Sequence, residues 1–261
     1  MNPRINYTRR VVGAADRPLE LFRNHCVGLW VLLSLALSLT WADAQTFDVQ
    51  LWNGGVKKGD WTPTLISMGD GGGYTIADTS YNPIGTDIRL YNVTLSYDPF
   101  ISASVDVVNN TLATQSYTLL FTLPISPAIT GGSRMGGSTQ GGLTDANFDG
   151  IGTLSTAGPG TALYKGQIDG IDVLPLFPDV TTINVPFAGG SASQSTSAGL
   201  PGPTIPGPNA FTSIGIKHQF TLTPGDRATF TSFFVVQAVP EPASLSLLGL
   251  GGVILILRRR R

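Results

Sequence analysis

Asp145-Ala146-Asn147-Phe148-Asp149-Gly150 is the segment whose residue types and spacing come nearest to a defined chemistry. Oxygens at alternate positions converge when a chain wraps round a cation, and calcium takes about six to eight of them. Gly150 permits the sharp turn, and the backbone carbonyl of Ile151 falls at the seventh position of such a loop. The twelfth position holds Thr156 where a bidentate Glu belongs, and no flanking helices are predicted, so this is not an EF-hand. Asp169 or Asp172 could supply the missing carboxylate from another strand. The same residue types also build Asx-rich turns that hold no ion. Calcium on Asp145, Asn147, Asp149 and Ile151 and a plain turn between strands therefore both stand; no other cofactor is expected.

Other chemistry is thinly supplied. Between Gln45 and Val239 there is one histidine, His218, and no glutamate. A Ser-His-Asp triad would have to use that histidine, yet it sits in an apolar-alternating run and reads as a residue on a sheet face. No Gly-x-Ser-x-Gly elbow occurs, and a zinc site with several His or Cys ligands cannot be assembled. Asp169 and Asp172 are a candidate carboxylate pair for glycoside hydrolysis. Trp52, Trp61, Tyr74 and Tyr81 could stack on sugars, although aromatic residues in an all-β domain more commonly fill the core. The chain is expected to be no enzyme.

The elements that must position these residues are strands. Thr46–Trp52 alternates, with Phe47, Val49 and Leu51 on one side. In 88–97, Ile88, Leu90, Asn92, Thr94 and Ser96 alternate with Arg89, Tyr91, Val93, Leu95 and Tyr97. Strands are predicted at 101–108 and 117–123, parted by Asn109-Asn110-Thr111, and at 143–148, 161–168 and 171–176. Two more, at 211–222 and 228–237, read as a hairpin through Thr223-Pro224-Gly225-Asp226. The glycine-rich run 131–142 reads as a connector, and 188–210 as a flexible loop. About ten short strands without a helix predict a single β-sandwich.

Composition agrees with that class and narrows the partners. Only 13% of residues are charged, while 32 glycines and 18 prolines punctuate a chain that is 42% hydrophobic. Residues 45–240 hold seven Lys/Arg and thirteen Asp, a net charge of −6. Such a body is a poor match for a phosphate backbone, so no nucleic acid is expected.

Both ends carry targeting signals. Arg17 and Arg23 precede an apolar run of 14 residues, Val27 to Thr40. That is short for a membrane span and suits a signal peptide. Ala42-Asp43-Ala44 follows as a small-x-small cleavage site, which assigns 1–44 to a signal helix and export to the Sec machinery. The lone Cys26 falls inside it, so no disulfide framework is expected in the body. At the other end, Pro240-Glu241-Pro242 leads into an apolar stretch, 243–257, and then Arg258, Arg259, Arg260 and Arg261. Fifteen helical residues span about 22 Å against a hydrocarbon core of about 30 Å. The terminal arginines can snorkel to the interface and mark the cytoplasmic end. A transmembrane helix is predicted there, with the body outside.

Val-Pro-Glu-Pro-Ala-Ser, a short Gly- and Leu-rich span and a terminal Arg run resemble the PEP-CTERM sorting signal of Gram-negative bacteria, also described as an ice-binding protein C-terminal domain. The resemblance covers about residues 238–261. It implies that Pro240, Glu241 and Pro242 mark a tail handled by an exosortase, a membrane transpeptidase-like enzyme, in a host that makes exopolysaccharide. Ser104–Leu123 also resembles a stretch common in such exported proteins. The resulting expectation is a signal peptide (1–44), a β-sandwich body (45–238) and a sorting tail (239–261). The protein would be anchored in the inner membrane with its body in the periplasm, then reach the cell surface or the medium after processing. Its role would be structural or adhesive in the envelope or matrix, with exopolysaccharide a possible partner. A secreted carbohydrate-binding module is the alternative, and an Asp-dependent hydrolase the second alternative.

The exported protein is expected to begin near Gln45, because Ala42 and Ala44 frame the small-x-small site that directly follows the apolar run. N-terminal sequencing of exported material checks this; an intact Met1 would refute cleavage.

Overall fold

The computed structural model describes residues 46–68, 73–83, 85–96 and 99–239. Their regular structure is all strand. The first nine are β1 (Asp48–Asn53), β2 (Val56–Trp61), β3 (Leu65–Ser67), β4 (Tyr74–Ile76), β5 (Thr79–Tyr81), β6 (Thr86–Ser96), β7 (Phe100–Asn109), β8 (Gln115–Pro124) and β9 (Ser133–Thr144). The rest are β10 (Gly152–Thr156), β11 (Ala162–Ile168), β12 (Ile171–Pro178), β13 (Thr182–Val185), β14 (Ser191–Ala198), β15 (Ile205–Gly207), β16 (Ser213–Leu222) and β17 (Arg227–Ala238). The predicted signal helix (1–44) and membrane helix (243–257) lie outside the described residues. Among the described residues, no helix is long and apolar enough to cross a membrane.

The strands form two antiparallel sheets. The first runs β12-β11-β16-β8-β1-β2, and β10, itself paired to β13, shares one edge of β16 with β11. The second runs β14-β9-β17-β7-β6-β4-β3, with β15 beside the start of β9 and β5 beside β6. Alternation builds the core between them. Val49 and Leu51 of β1, Tyr117, Leu119 and Phe121 of β8, and Ile214, Ile216 and Phe220 of β16 point inward from the first sheet. Ile101, Val105 and Val107 of β7 and Phe230, Phe234 and Val236 of β17 meet them from the second. Each large side chain of this kind contributes roughly 1.5–3 kcal/mol when buried. The all-β, two-sheet sandwich expected from the alternation is the architecture observed, with more strands than were counted in the sequence.

Five local expectations are corrected. The alternation in β6 changes phase midway: Ile88 and Leu90 are buried, but so are Val93 and Leu95. The β6–β7 register shifts between Tyr91 and Thr94, and Asn92 takes φ 51°. One extra residue turns every later side chain to the other face, and Asn tolerates the left-handed conformation this requires.

The glycine-rich run is not a connector but most of β9, paired along its length to β17. Its glycines admit aromatic rings from neighbouring strands. A Cβ on Gly137 would lie 2.7 Å from the Tyr164 hydroxyl, and one on Gly141 would meet the Phe230 ring at 3.5 Å. Residues 188–210 are likewise not one loop: β14 pairs with β9 from Ser191–Thr144 to Ala198–Gly137. Its sequence, SASQSTSA, has no large apolar residue because it lies at a sheet edge. Predicted strand 143–148 also divides: β9 ends at Thr144, and Asp145 to Phe148 form a loop.

Nor do β16 and β17 form a hairpin. β16 belongs to the first sheet and β17 to the second, so Thr223–Asp226 is a crossover between layers. The β7–β8 connection crosses in the same way. Asn109, fully buried, joins these two crossovers. Its Nδ2 donates to the carbonyls of Ala113 and Leu222, both at 2.9 Å, and of Thr223 at 3.1 Å. Its Oδ1 accepts from the Thr111 amide and hydroxyl. Its backbone N–H donates to Asp226, and its carbonyl accepts from Gly225.

His218 lies at the centre of the inter-layer core. Nδ1–H donates to the Leu163 carbonyl at 2.9 Å, and Nε2 lies 3.1 Å from the Ser232 hydroxyl, which is 2.8 Å from that of Thr139. Its ring stacks on Phe230 at 4.5 Å, with Phe121 and Tyr164 edge-on. Burial pushes its pKa down to about 4, against the opposing effect of the Leu163 carbonyl. A group whose folded pKa is depressed in this way keeps its neutral form in the fold but takes up a proton near pH 6.5 when unfolded. Stability is therefore intact above about pH 6.5 and falls as pH drops toward 4, by on the order of 3 kcal/mol. Thermal melting across that interval should show the loss. His218→Gln, which keeps a donor and an acceptor but does not titrate, should flatten that part of the profile.

Candidate functional site

The 145–151 loop follows directly from the end of β9. Asp145 is fully buried, and its Oδ2 accepts from the amides of Gly150 (2.8 Å) and Gly189 (3.2 Å). Asn147 and Asp149 are exposed and engage one another. The Asp149 amide donates to Asn147 Oδ1, Asn147 Nδ2 donates to Asp149 Oδ2, and Asp149 Oδ1 accepts from the Ile151 amide at 2.8 Å. These are Asx-turn bonds. They arise because short polar side chains reach their own backbone two residues on. Phe148 and Gly150 both take positive φ, 63° and 78°, which folds the loop back on itself.

What this loop packs against could not be read from spacing. Asn147 Nδ2 also donates to the carbonyl of Pro224, 77 residues away, and a Cβ on Gly225 would lie 2.6 Å from that same amide nitrogen. The β16–β17 crossover is thus in contact with the loop, and it carries Asp226. Asp226 is fully buried too, and its Oδ2 accepts from the Thr223 hydroxyl. Burial raises its pKa above the ordinary carboxylate value; the Thr223 bond and, to a smaller extent, the Ala146 backbone amide oppose this, and the charges of Asp145 and Asp149 push it further up. One oxygen of each buried carboxylate, Asp145 Oδ1 and Asp226 Oδ1, has no hydrogen-bond partner. In the sequence Asp226 is merely the last residue of a turn. Only the placement of β16 and β17 in opposite layers brings it here.

Neither carboxylate suggested as a distant ligand shares this place. Asp169 and Gly170, at φ 50° and 77°, form the two-residue turn between β11 and β12, the pattern of a type I′ hairpin. The Asp169 carboxylate accepts from the amides of Phe211, Thr212 and Ser213 at 2.7–3.0 Å and from the Thr212 hydroxyl. Desolvation pushes its pKa up, but these bonds together outweigh it and hold the carboxyl below its usual value. Asp172 lies between Lys165 Nζ at 3.0 Å and Lys217 Nζ at 2.6 Å, and accepts from Gln167. Desolvation is again the largest influence on its pKa, overcome by Gln167 and the two lysines. Each is thus held by its own partners. Among the described residues, no group of three or more His, Cys, Asp or Glu is arranged to hold a metal.

His218 and Ser232 are within hydrogen-bond distance, but both are buried, and Nδ1 meets a backbone carbonyl rather than a carboxylate. The four aromatic residues are dispersed. Trp61 and Tyr81 stack on each other at 4.8 Å, with Trp61 packed against the core. Trp52 lies next to the buried Leu51 on β1 and so faces outward, with Lys57 Nζ 6.0 Å from its ring. Tyr74 is half-buried on β4 and packs against the core. A groove on the outer face of the second sheet was not anticipated; Ser138, Gln140, Ser195, Ser197 and Thr231 line it. The register sets Gln140 between Ser195 and Thr231, and Thr231 opposite Ser104.

Ala42, Ala44, Pro240, Glu241, Pro242 and Arg258 to Arg261 lie outside the described residues. Sequence comparison reaches the last of these: residues 238–261 match the PEP-CTERM protein-sorting motif. Comparison with curated proteins finds no match.

Asp169 closes three backbone amides at once, so Asp169→Ala should destabilise the protein by about 1–3 kcal/mol. Asp169→Asn should cost less, because it keeps the acceptor oxygen. Urea denaturation of the two variants against the wild type reads the difference.

Proposed function

We propose that this protein is a non-enzymatic structural or adhesive component of a Gram-negative cell envelope or extracellular matrix. The observation that carries this reading is the sorting motif at 238–261, which implies an exported protein with a C-terminal membrane anchor processed by an exosortase. In this reading the Sec machinery exports the chain and the signal is removed after Ala44. The 243–257 span then holds the body in the periplasm, and processing near Pro240-Glu241-Pro242 releases it toward the surface. Exopolysaccharide is the partner proposed for the released body. The body suits such a role. The side chains weighed for catalysis are tied into a hairpin turn and ion pairs, at Asp169 and Asp172, or buried between the sheets, at His218.

A second reading, a secreted carbohydrate-binding module, draws on the outer groove. Hydroxyl and amide groups from Ser138, Gln140, Ser195 and Thr231 line it without a charged side chain. That chemistry suits the hydroxyl groups of a neutral glycan. Binding on a glycan array, lost in a Gln140→Ala, Thr231→Ala double variant, would favour this reading over a purely structural one.

Replacing Pro240, Glu241 and Pro242 by Ala in the native host should block processing, with uncut protein accumulating in the inner membrane. Replacing Arg258 to Arg261 by Ser should weaken retention and send more protein into the medium. Fractionation with a tag inserted after Gln45 reads both. An unaltered size and location after the first change would reduce the tail to a plain anchor.

A further inference from the structure

We propose that Asp145 and Asp226 together hold one hard divalent cation, calcium, where the 145–151 loop meets the β16–β17 crossover. Both side chains are fully buried. Each has one oxygen satisfied by protein donors, Gly150 and Gly189 for Asp145 and Thr223 for Asp226, and one buried oxygen with no partner. The two unpartnered oxygens belong to segments in direct contact through Asn147 and Pro224. A buried carboxylate left unpaired is among the costliest groups a fold can carry. Here two stand together with Asp149 nearby, and among the described residues none of the three forms an ion pair. A proton shared between them would remove one charge. A divalent cation offsets two.

The donor set selects the kind of ion. Only oxygen is offered, which suits calcium or magnesium rather than zinc or copper. The two carboxylates would anchor the ion, and main-chain carbonyls and water would complete its shell. Calcium is favoured over magnesium because its coordination is irregular and adaptable, whereas magnesium demands near-octahedral geometry. Asn147 and Asp149, first in line from their spacing, shape the loop rather than bind. The carboxylate that replaces the missing twelfth-position ligand comes from Asp226, on the opposite layer's strand connection. A cation here would fasten the end of β9 to the crossover that joins the two sheets.

The test uses the full-length protein in detergent, stripped with a chelator and then titrated with CaCl2 or MgCl2. Calcium at about a hundredfold excess over its dissociation constant should raise the melting temperature by roughly 5–10 °C, and calorimetry should show one ion per chain. In Asp226→Asn and Asp145→Asn the calcium response should vanish. Without calcium, Asp226→Asn should melt no lower than the wild type, since it removes a repelling charge and keeps the acceptor for Thr223. This crossing of effects distinguishes ligand loss from misfolding. Identical wild-type melting with calcium and with chelator would overturn the proposal in favour of a shared proton. A calcium response that survives Asp226→Asn would overturn it too, by placing the ion elsewhere.

Discussion

The buried amide of Asn109 fixes how the two sheets are joined. Both chain crossings at that end of the sandwich, β7 to β8 and β16 to β17, hang on its hydrogen bonds: three carbonyls on Nδ2, a turn on Oδ1, and both of its backbone groups. A crossing between layers ends the ladder pairing of each strand and leaves polar backbone in an apolar setting. One side chain with two donor hydrogens and an acceptor oxygen resolves that for both connections. Leu222, the last residue of β16, gives its carbonyl to Asn109, and four residues later Asp226 enters the junction with the 145–151 loop. The placement of β17, of Asp226 and of the loop all follow from this joint.

The inter-layer core shows a second economy of shape. Glycines in β9 and β11 leave room for Tyr164 and Phe234: a Cβ on Gly137 would crowd the Tyr164 hydroxyl, and one on Gly166 would lie 2.5 Å from the Phe234 ring. His218 is used as one more flat ring, neutral, with both nitrogens occupied. The core therefore combines large aromatic faces with strands stripped of side chains. That packing differs from the aliphatic ladders of β6 and β7 in the second sheet.

Legibility in the sequence followed the strength of alternation. β1, β8, β16 and β17 were plain because apolar residues recur at every second place. β9 and β14 were hidden. In β9 the inward Gly137 makes room for Tyr164 on another strand, a partner that no single-sequence pattern records, and β14 lies at a sheet edge with only small and polar side chains. β6 misled because one bulge at Asn92 reverses the faces beyond it. At the candidate site the sequence pointed to the 145–151 loop, Asp145 included. It could not name Asp226, because its approach depends on which sheet each strand joins. The sorting tail was legible for a different reason: its signal is a linear order of residue types and needs no partner from elsewhere in the fold to define it.

β17 is the last of the described strands and a central one, paired to β7 on one side as far as Val235 and to β9 on the other as far as Ala238. The residues matched to the sorting motif begin at Ala238, where β17 ends. A load applied at Ala238 would therefore enter through an interior strand, gripped first by β9 and, from Val235 inward, by β7 as well. It would not meet an edge strand held on one side alone.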